Sequence, residues 1–252
     1  YIYISVDPVR DAELINLELA FADLAQVEQR ILRIRKDTRA GKADPNEMNA
    51  LLKVEKVLGA DKPARYAELT DEEELSIKTL GLLSRKPMIY AANVADSDLA
   101  NGNEMVTKLK EVAEAEGANL VVVSAQVEAE LVELEDADRD EFLESLEVTL
   151  DDCGLRALIR EAYDLLKLQT YYTSGPTESR AWTIKQGWTA PQAAGVIHTD
   201  FERGFIRAET ISYDDLIEAG SEAAAKSKGL LRSEGKEYIV QDGDVILFRF
   251  NV

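Results

Sequence analysis

After Asp7-Pro8, the apolar residues Leu17, Phe21, Leu24, Val27, Ile31 and Ile34 recur every three or four positions. That spacing lays them along one face of a single long helix. Asp7 reads as its N-cap and Pro8 as a first-turn proline, where the missing N–H costs nothing. Ala40-Gly41-Lys42 breaks the pattern. Asp44-Pro45-Asn46-Glu47 restarts it with a second cap, a second proline and a carboxylate at the third helical position, ahead of Met48, Leu51, Leu52 and Leu58. Two amphipathic helices joined by a short turn read as an antiparallel hairpin. Gly59 and Lys62-Pro63 stop the second helix, Thr70-Asp71-Glu72-Glu73 opens a third with a capping box, and the chain is expected to stay helical to about Leu83.

At Lys86-Pro87 the pattern changes. Met88 to Ala92 is a short apolar run, a helical stretch follows from Glu104 to Glu116, and after Gly117 comes a second apolar run, Leu120 to Val123. Strand, helix, strand at this spacing is a βαβ unit. Such units build parallel sheets whose ligands sit at the carboxyl ends of the strands, here Asn93 and Ser124. Helical stretches from Gln126 to Leu146 and from Leu155 to Leu168 are expected to close this domain. From about Gln169 the signals are those of a small α+β unit: strands at Tyr171-Tyr172-Thr173, Ala181 to Ile184 and Phe205 to Ile211, a short helix around Gln192 to Val196, and a final pair of runs, Tyr238 to Val240 and Val245 to Phe250, about the turn Gln241 to Asp244.

Composition narrows the chemistry. With 252 residues, 46% of them hydrophobic, the chain can bury a substantial core, and its length favours two domains. No apolar run approaches the roughly 20 residues of a membrane span, and Tyr1 to Ser5 lacks the regions of a signal peptide, so a cytosolic address is expected. Cys153 has no second cysteine to pair with, and with His198 the sole histidine no Cys/His zinc site can form. The best reading of Cys153 is a packed thiol, of His198 a hydrogen-bonded structural residue, and of the carboxylates between Glu128 and Glu147 a solvated helix face. A formal net charge of -19 opposes general attachment to polyanions, so nucleic-acid contacts must come from local patches. Arg30, Arg33, Arg35, Lys36, Arg39 and Lys42 concentrate at the hairpin tip, where they can meet RNA phosphates or pair with the arm's own carboxylates. Arg180, Lys185, Arg203 and Arg207 form a second candidate patch.

Switches of the guanine-nucleotide type hold the base with an Asn-Lys-x-Asp loop after one strand and a Ser-Ala loop after the next. Here Asn93-Val94-Ala95-Asp96 and Ser124-Ala125 stand at successive strand ends in that order. An Asn amide both donates and accepts, while backbone N–H groups near Ser124 and Ala125 can reach a base edge. The plainer alternative has Asn93 and Ser124 only turning the chain out of its strands.

Ala193 to Glu209 together with Tyr238 to Phe250 resemble the TGS domain of the YchF family. The likeness also takes in Val6 to Asp11, the Asn93 loop, Leu168 to Tyr172 and Arg180 to Thr183. It implies an α/β chain: a partial Obg-type P-loop domain (1–17 and 86–167), a helical hairpin inserted at 18–85, and an α+β β-grasp TGS domain (168–252). It further implies a ribosome-associated ATPase of translation and stress control that binds its base through Asn93, Val94, Asp96, Ser124 and Ala125. ATP is the implied cofactor, with GTP as the alternative, and Mg2+ is held by residues this sequence lacks. Arg33, Arg35, Lys36, Arg39, Arg203 and Arg207 are the expected ribosomal RNA contacts.

Two departures qualify the likeness. No Gly-x-x-x-x-Gly-Lys-Ser/Thr or upstream Asp-x-x-Gly segment occurs, so the chain is expected to begin partway through the nucleotide domain, to contain no catalytic residue and to be inactive alone. A non-enzymatic RNA-binding module is then the rival reading. The second departure is Asp96, where the family usually has Glu.

Overall fold

The structure is a computed structural model that describes residues 6–38, 44–149, 154–175 and 177–251. The hairpin turn at Ala40-Gly41-Lys42, Arg39 and Cys153 lie outside the described residues. The chain divides into two compact units, Tyr1–Leu158 and Ile159–Val252. Among the described residues no helix is long and apolar enough to cross a membrane.

The first unit opens with α1 (Pro8–Thr38) and α2 (Pro45–Leu58). Both start where the caps place them: Asp7 accepts from the Arg10 N–H and Asp44 from the Asn46 N–H. Val27, Ile31 and Ile34 of α1 pack with Leu51, Val54 and Leu58 of α2 in one buried cluster. The lower half of the α1 stripe differs from expectation. Phe21 is exposed, and the buried face runs instead through Asn16, Ala20 and Asp23. The stripe keeps its helical period but passes through two polar side chains, because each meets hydrogen-bonding groups from segments far along the sequence.

Past α2 the chain is less regular than the expected continuous helix. A 3-10 turn (Ala64–Tyr66), α3 (Asp71–Ile77) and two further 3-10 turns (Lys78–Leu80 and Leu83–Arg85) pack along the hairpin. Thr70 and Glu73 form the anticipated capping box. Gly81 then takes a left-handed conformation at φ 61°, which lets its N–H reach the Lys78 carbonyl and ends the helical path.

β1 (Ile89–Asn93), α4 (Glu104–Glu116) and β2 (Asn119–Val123) form the βαβ unit, with the strands parallel and paired from Ile89↔Asn119 to Asn93↔Val123. Two helices, α5 (Ala125–Glu133) and α6 (Asp136–Ser145), replace the single one expected over Gln126 to Leu146. The Arg139 guanidinium donates to the Leu131 and Leu134 carbonyls, satisfying the end of α5 where the chain bends. The bend lets Leu131 and Leu143 enter the same cluster with Leu99 and Val127. α7 (Gly154–Leu165) starts against β2, where any Cβ on Gly154 would meet Val123 at 2.8 Å. It ends three residues short of Leu168, because Lys167 adopts φ 53° and turns the chain into a strand.

In the second unit the elements are β3 (Leu168–Ser174), β4 (Ser179–Lys185), α8 (Ala190–Ile197), α9 (Thr199–Arg203), β5 (Phe205–Ser212), α10 (Tyr213–Ala219), α11 (Glu222–Ser227), β6 (Arg232–Glu234) and β7 (Asp244–Phe250). The sheet order β4-β3-β7-β5-β6, with β3 and β7 parallel at its centre, is a β-grasp arrangement. Tyr171, Ile184, Phe205, Ile246 and Phe248 pack against Ala190, Ala193 and Ala194 of α8. Tyr171 is fully buried and its hydroxyl donates to the Ala193 carbonyl. Burial raises its phenol above the ordinary range. Tyr238 to Val240 does not pair with β7 as a strand; among the described residues its backbone makes an isolated bridge between Ile239 and Thr189, and the Tyr238 hydroxyl donates to Asp244 of β7. β7 is already flanked by β3 and β5, so no edge remains for a hairpin. The Gln241 to Asp244 turn is anchored to β3 instead: Asp242 accepts from the Thr170 N–H, and the Gly243 N–H donates to the Thr170 carbonyl. α10, α11 and β6 were not foreseen from the sequence.

Candidate nucleotide site

The carboxyl ends of β1 and β2 bring the two loops together as their parallel pairing requires. The Asn93 Oδ1 accepts from the Ala125 N–H at 3.0 Å, and the Val94 N–H donates to the Val123 carbonyl at 2.8 Å, so the Asn93 and Ser124 loops are stitched by side chain and backbone alike. The Ala125 N–H fixes which end of the Asn93 amide is oxygen. Its Nδ2 makes no hydrogen bond among the described residues, and the residue is exposed.

Ser124 is 1% exposed and spends its hydroxyl as N-cap of α5, accepting from the Val127 N–H. Its part in any site is therefore to set the course of the second loop, and the N–H of the exposed Ala125, expected to reach a base edge, is committed to Asn93 instead. Val94 is half-buried and packs on the cluster of Leu99, Val127 and Leu131. Asp96 is exposed and opens a 3-10 turn (Asp96–Asp98), with one carboxylate oxygen accepting from the Ser97 N–H. Asp98 accepts from Asn103, which caps α4 by accepting from the Val106 N–H. A cavity of about 340 Å3 adjoins the loop, walled by Ala91, Val94, Met105 and Leu109, with Asn93 and Asn103 as polar groups.

The strand carrying Asn93 is held from below by a polar network that the sequence did not disclose. Glu116 on α4 accepts from Arg65 at 2.9 Å, from the Tyr90 hydroxyl on β1 at 2.9 Å and from Asn16 on α1 at 3.2 Å, while Asn16 also donates to Tyr90. Burial is the main cause that raises the Tyr90 phenol, with the Glu116 carboxylate adding to it. No local pattern could reveal partners separated by 74 and 100 positions.

The arm divides its cations. Arg30 is committed to Glu47, with Nε to Oε1 at 2.6 Å and Nη2 to Oε2 at 3.0 Å. Arg33, Arg35 and Lys36 are exposed and have no ion-pair partner among the described residues. On the β-grasp sheet Arg207 and Arg249 share Glu209, whose carboxyl is held below its usual range first by Arg249 and then by Arg207. Arg180 pairs with Glu178 and lies over the Trp182 ring. Arg203 is exposed and has no ion-pair partner among the described residues. His198 links α8 to α9, its Nδ1 accepting from the Asp200 N–H. Among the described residues no group of three or more His, Cys, Asp and Glu is placed to hold a metal ion.

A parallel βαβ unit with candidate base loops at its strand ends, a pair of long helices and a β-grasp sheet match the Obg-type class of P-loop proteins in fold. Residues 168–251 match the family described as YchF-GTPase_C, protein of unknown function (DUF933). The chain is 49% identical over 250 residues to the Bacillus subtilis protein called ribosome-binding ATPase YchF, and 48% identical to its Escherichia coli O157:H7 counterpart. Each alignment covers 98% of this chain and 68% of the relative. It is 38% identical to rat Obg-like ATPase 1, over 98% of this chain and 63% of that protein. The structure titled as the Schizosaccharomyces pombe YchF GTPase superposes with a TM-score of 0.82 at 32% identity, over 99% of this chain and 68% of that one. The chain belongs to the YchF family.

Proposed function

We propose that this chain supplies the base-binding and ribosome-contacting parts of an ATP-dependent regulator of the kind its relatives' names describe. The observation that carries the nucleotide reading is the Asn93–Ala125 hydrogen bond, which leaves an oriented amide N–H2 at the mouth of the two loops. Asn93 Nδ2 would donate to purine N7, and the second lone pair of Oδ1 would accept the adenine N6 amine while opposing the guanine O6. Ser124 caps α5 and Ala125 commits its N–H to Asn93, so these two residues shape the second loop beside the base, Val94 offers the base an apolar contact, and phosphates and Mg2+ fall to a phosphate loop this sequence does not contain. The chain alone is therefore expected not to turn over ATP.

One residue favours GTP. The Asp96 carboxylate can accept from guanine N1–H and its N2 amine and finds no donor at those positions on adenine. Competition binding decides, using this chain fused to the N-terminal segment of the Bacillus subtilis relative. ATP is expected to bind more tightly, Asn93→Ala to weaken both nucleotides, and Asp96→Glu to widen the preference for ATP. A tenfold preference for GTP, about 1.4 kcal/mol, would reassign Asp96 as a guanine ligand and overturn the ATP reading.

The arm is assigned to the ribosome, with Arg33, Arg35, Lys36 and Arg39 on RNA phosphates. Arg203 is a supporting contact, and Arg207 a weaker one because Glu209 already holds it. Replacing the four arm cations with Ala should weaken co-sedimentation with ribosomes while leaving helicity intact.

A further inference from the structure

A small pocket sits at the root of the arm, away from the base loops. It has a volume of about 150 Å3, a floor of buried Ile77 and Leu82, and Lys78, Arg85, Lys86, Glu74 and Gly81 around it. The only carboxylate in the lining, Glu74, is committed to the Arg85 guanidinium, which also donates to the Ala64 and Ala67 carbonyls. Lys78 and Lys86 are exposed and have no ion-pair partner among the described residues. Backbone carbonyls do not reverse the sign: Lys78 O accepts from Gly81 N–H, and Leu80 O accepts from Gln26 on α1. The lining of one concavity therefore carries two lysines with no ion-pair partner among the described residues, in a chain of net charge -19.

The walls are fixed before any ligand arrives. Asp23 on α1, 1% exposed, accepts from the Leu83 and Ser84 N–H groups and from the Ser84 hydroxyl, and that hydroxyl accepts from the Ala64 N–H. With Gln26 at Leu80, the middle of the 78–86 segment is tied to the long helix at Leu80, Leu83 and Ser84. A braced pocket lined by two such lysines suits a tetrahedral oxyanion, for which Lys serves as a point charge with three donors.

We propose that the Lys78/Lys86 pocket is a phosphate-binding site that takes a backbone phosphate of ribosomal RNA. The RNA source rests on the ribosome reading above; the phosphate chemistry rests on the pocket alone. Two measurements on the 252-residue chain separate them. In amide NMR, titration with inorganic phosphate should shift resonances of residues 78–86 saturably, and Lys78→Gln/Lys86→Gln should abolish those shifts without disturbing the rest of the spectrum. In co-sedimentation with Bacillus subtilis ribosomes at low salt, the same variant should bind about tenfold more weakly, and its log K against log[salt] slope should fall by about 1–2. Phosphate shifts that are absent from 78–86, or that survive in the variant, would overturn the site. Phosphate shifts with unchanged ribosome affinity would overturn the RNA source. If the unaltered chain fails to pellet with ribosomes, the ribosome reading falls and takes the RNA source with it, while the phosphate titration still decides the pocket.

Discussion

The root and the far end of the arm share the long helix α1, yet they treat polar groups in opposite ways. At the root Asp23 is buried and uses both carboxylate oxygens on three donors, Arg85 is spent on Glu74 and two carbonyls, and Glu116 gathers Arg65, Tyr90 and Asn16. Towards the far end Arg33, Arg35 and Lys36 stand exposed with no partner among the described residues. Buried polar groups must be satisfied within the fold, whereas an exposed, unpaired cation contributes little to stability and stays available to a ligand. The same contrast holds within one residue at the base loops, where the Asn93 Oδ1 ties two loops together and its Nδ2 is left over.

The contrast breaks first at Asp23. Asp23→Ala strands the Leu83 and Ser84 N–H groups and the Ser84 hydroxyl in a buried setting, and should destabilise the first unit by about 3–5 kcal/mol in urea denaturation. A loss below 1 kcal/mol would mean that the root does not depend on this carboxylate. Glu116→Gln keeps the shape but removes the charge that Arg65 and Tyr90 share, and should cost roughly 1–3 kcal/mol by the same assay. Thr70→Ala removes one half of the capping box on α3 and should cost about 1 kcal/mol.

Glu73 sharpens the comparison through pH. The Lys53 ammonium is the first cause holding its carboxyl below the usual range, with the Thr70 N–H second. A folded pKa lowered in this way gives stability that is complete above the ordinary carboxylate range and is lost as pH falls through the lowered value. Lys53→Met should flatten that acid-side loss, and thermal melts from neutral pH into the carboxylate range would show it. Identical pH slopes in the two proteins would remove Lys53 from the account.

What the sequence disclosed follows the same division. Caps and turn residues act over a few positions, so the starts of α1, α2 and α3 and the full length of α4 are readable, as is the placing of Asn93 and Ser124 at the ends of β1 and β2. The buried face of α1 departs from the apolar spacing at Phe21, because Asn16 and Asp23, which lie on that face, are polar and are justified by partners tens of residues away. The break between α5 and α6 escaped for a related reason, since Arg139 provides it by reaching back to carbonyls of the preceding helix. The runs Tyr238 to Val240 and Val245 to Phe250 read locally as a pair about a turn, but β7 already has β3 and β5 on its two edges, a fact of the whole sheet that no local composition carries.

The most direct test asks whether the left-over cations serve a ligand or nothing. Arg33→Ala/Arg35→Ala/Lys36→Ala should change folding stability by less than about 0.5 kcal/mol, since no described contact is lost. In co-sedimentation with ribosomes across a salt series, the same variant should bind more weakly, with the magnitude of its log K against log[salt] slope reduced by about 2–3. An affinity and a slope equal to those of the unaltered chain, at unchanged stability, would contradict the assignment of the arm to the ribosome.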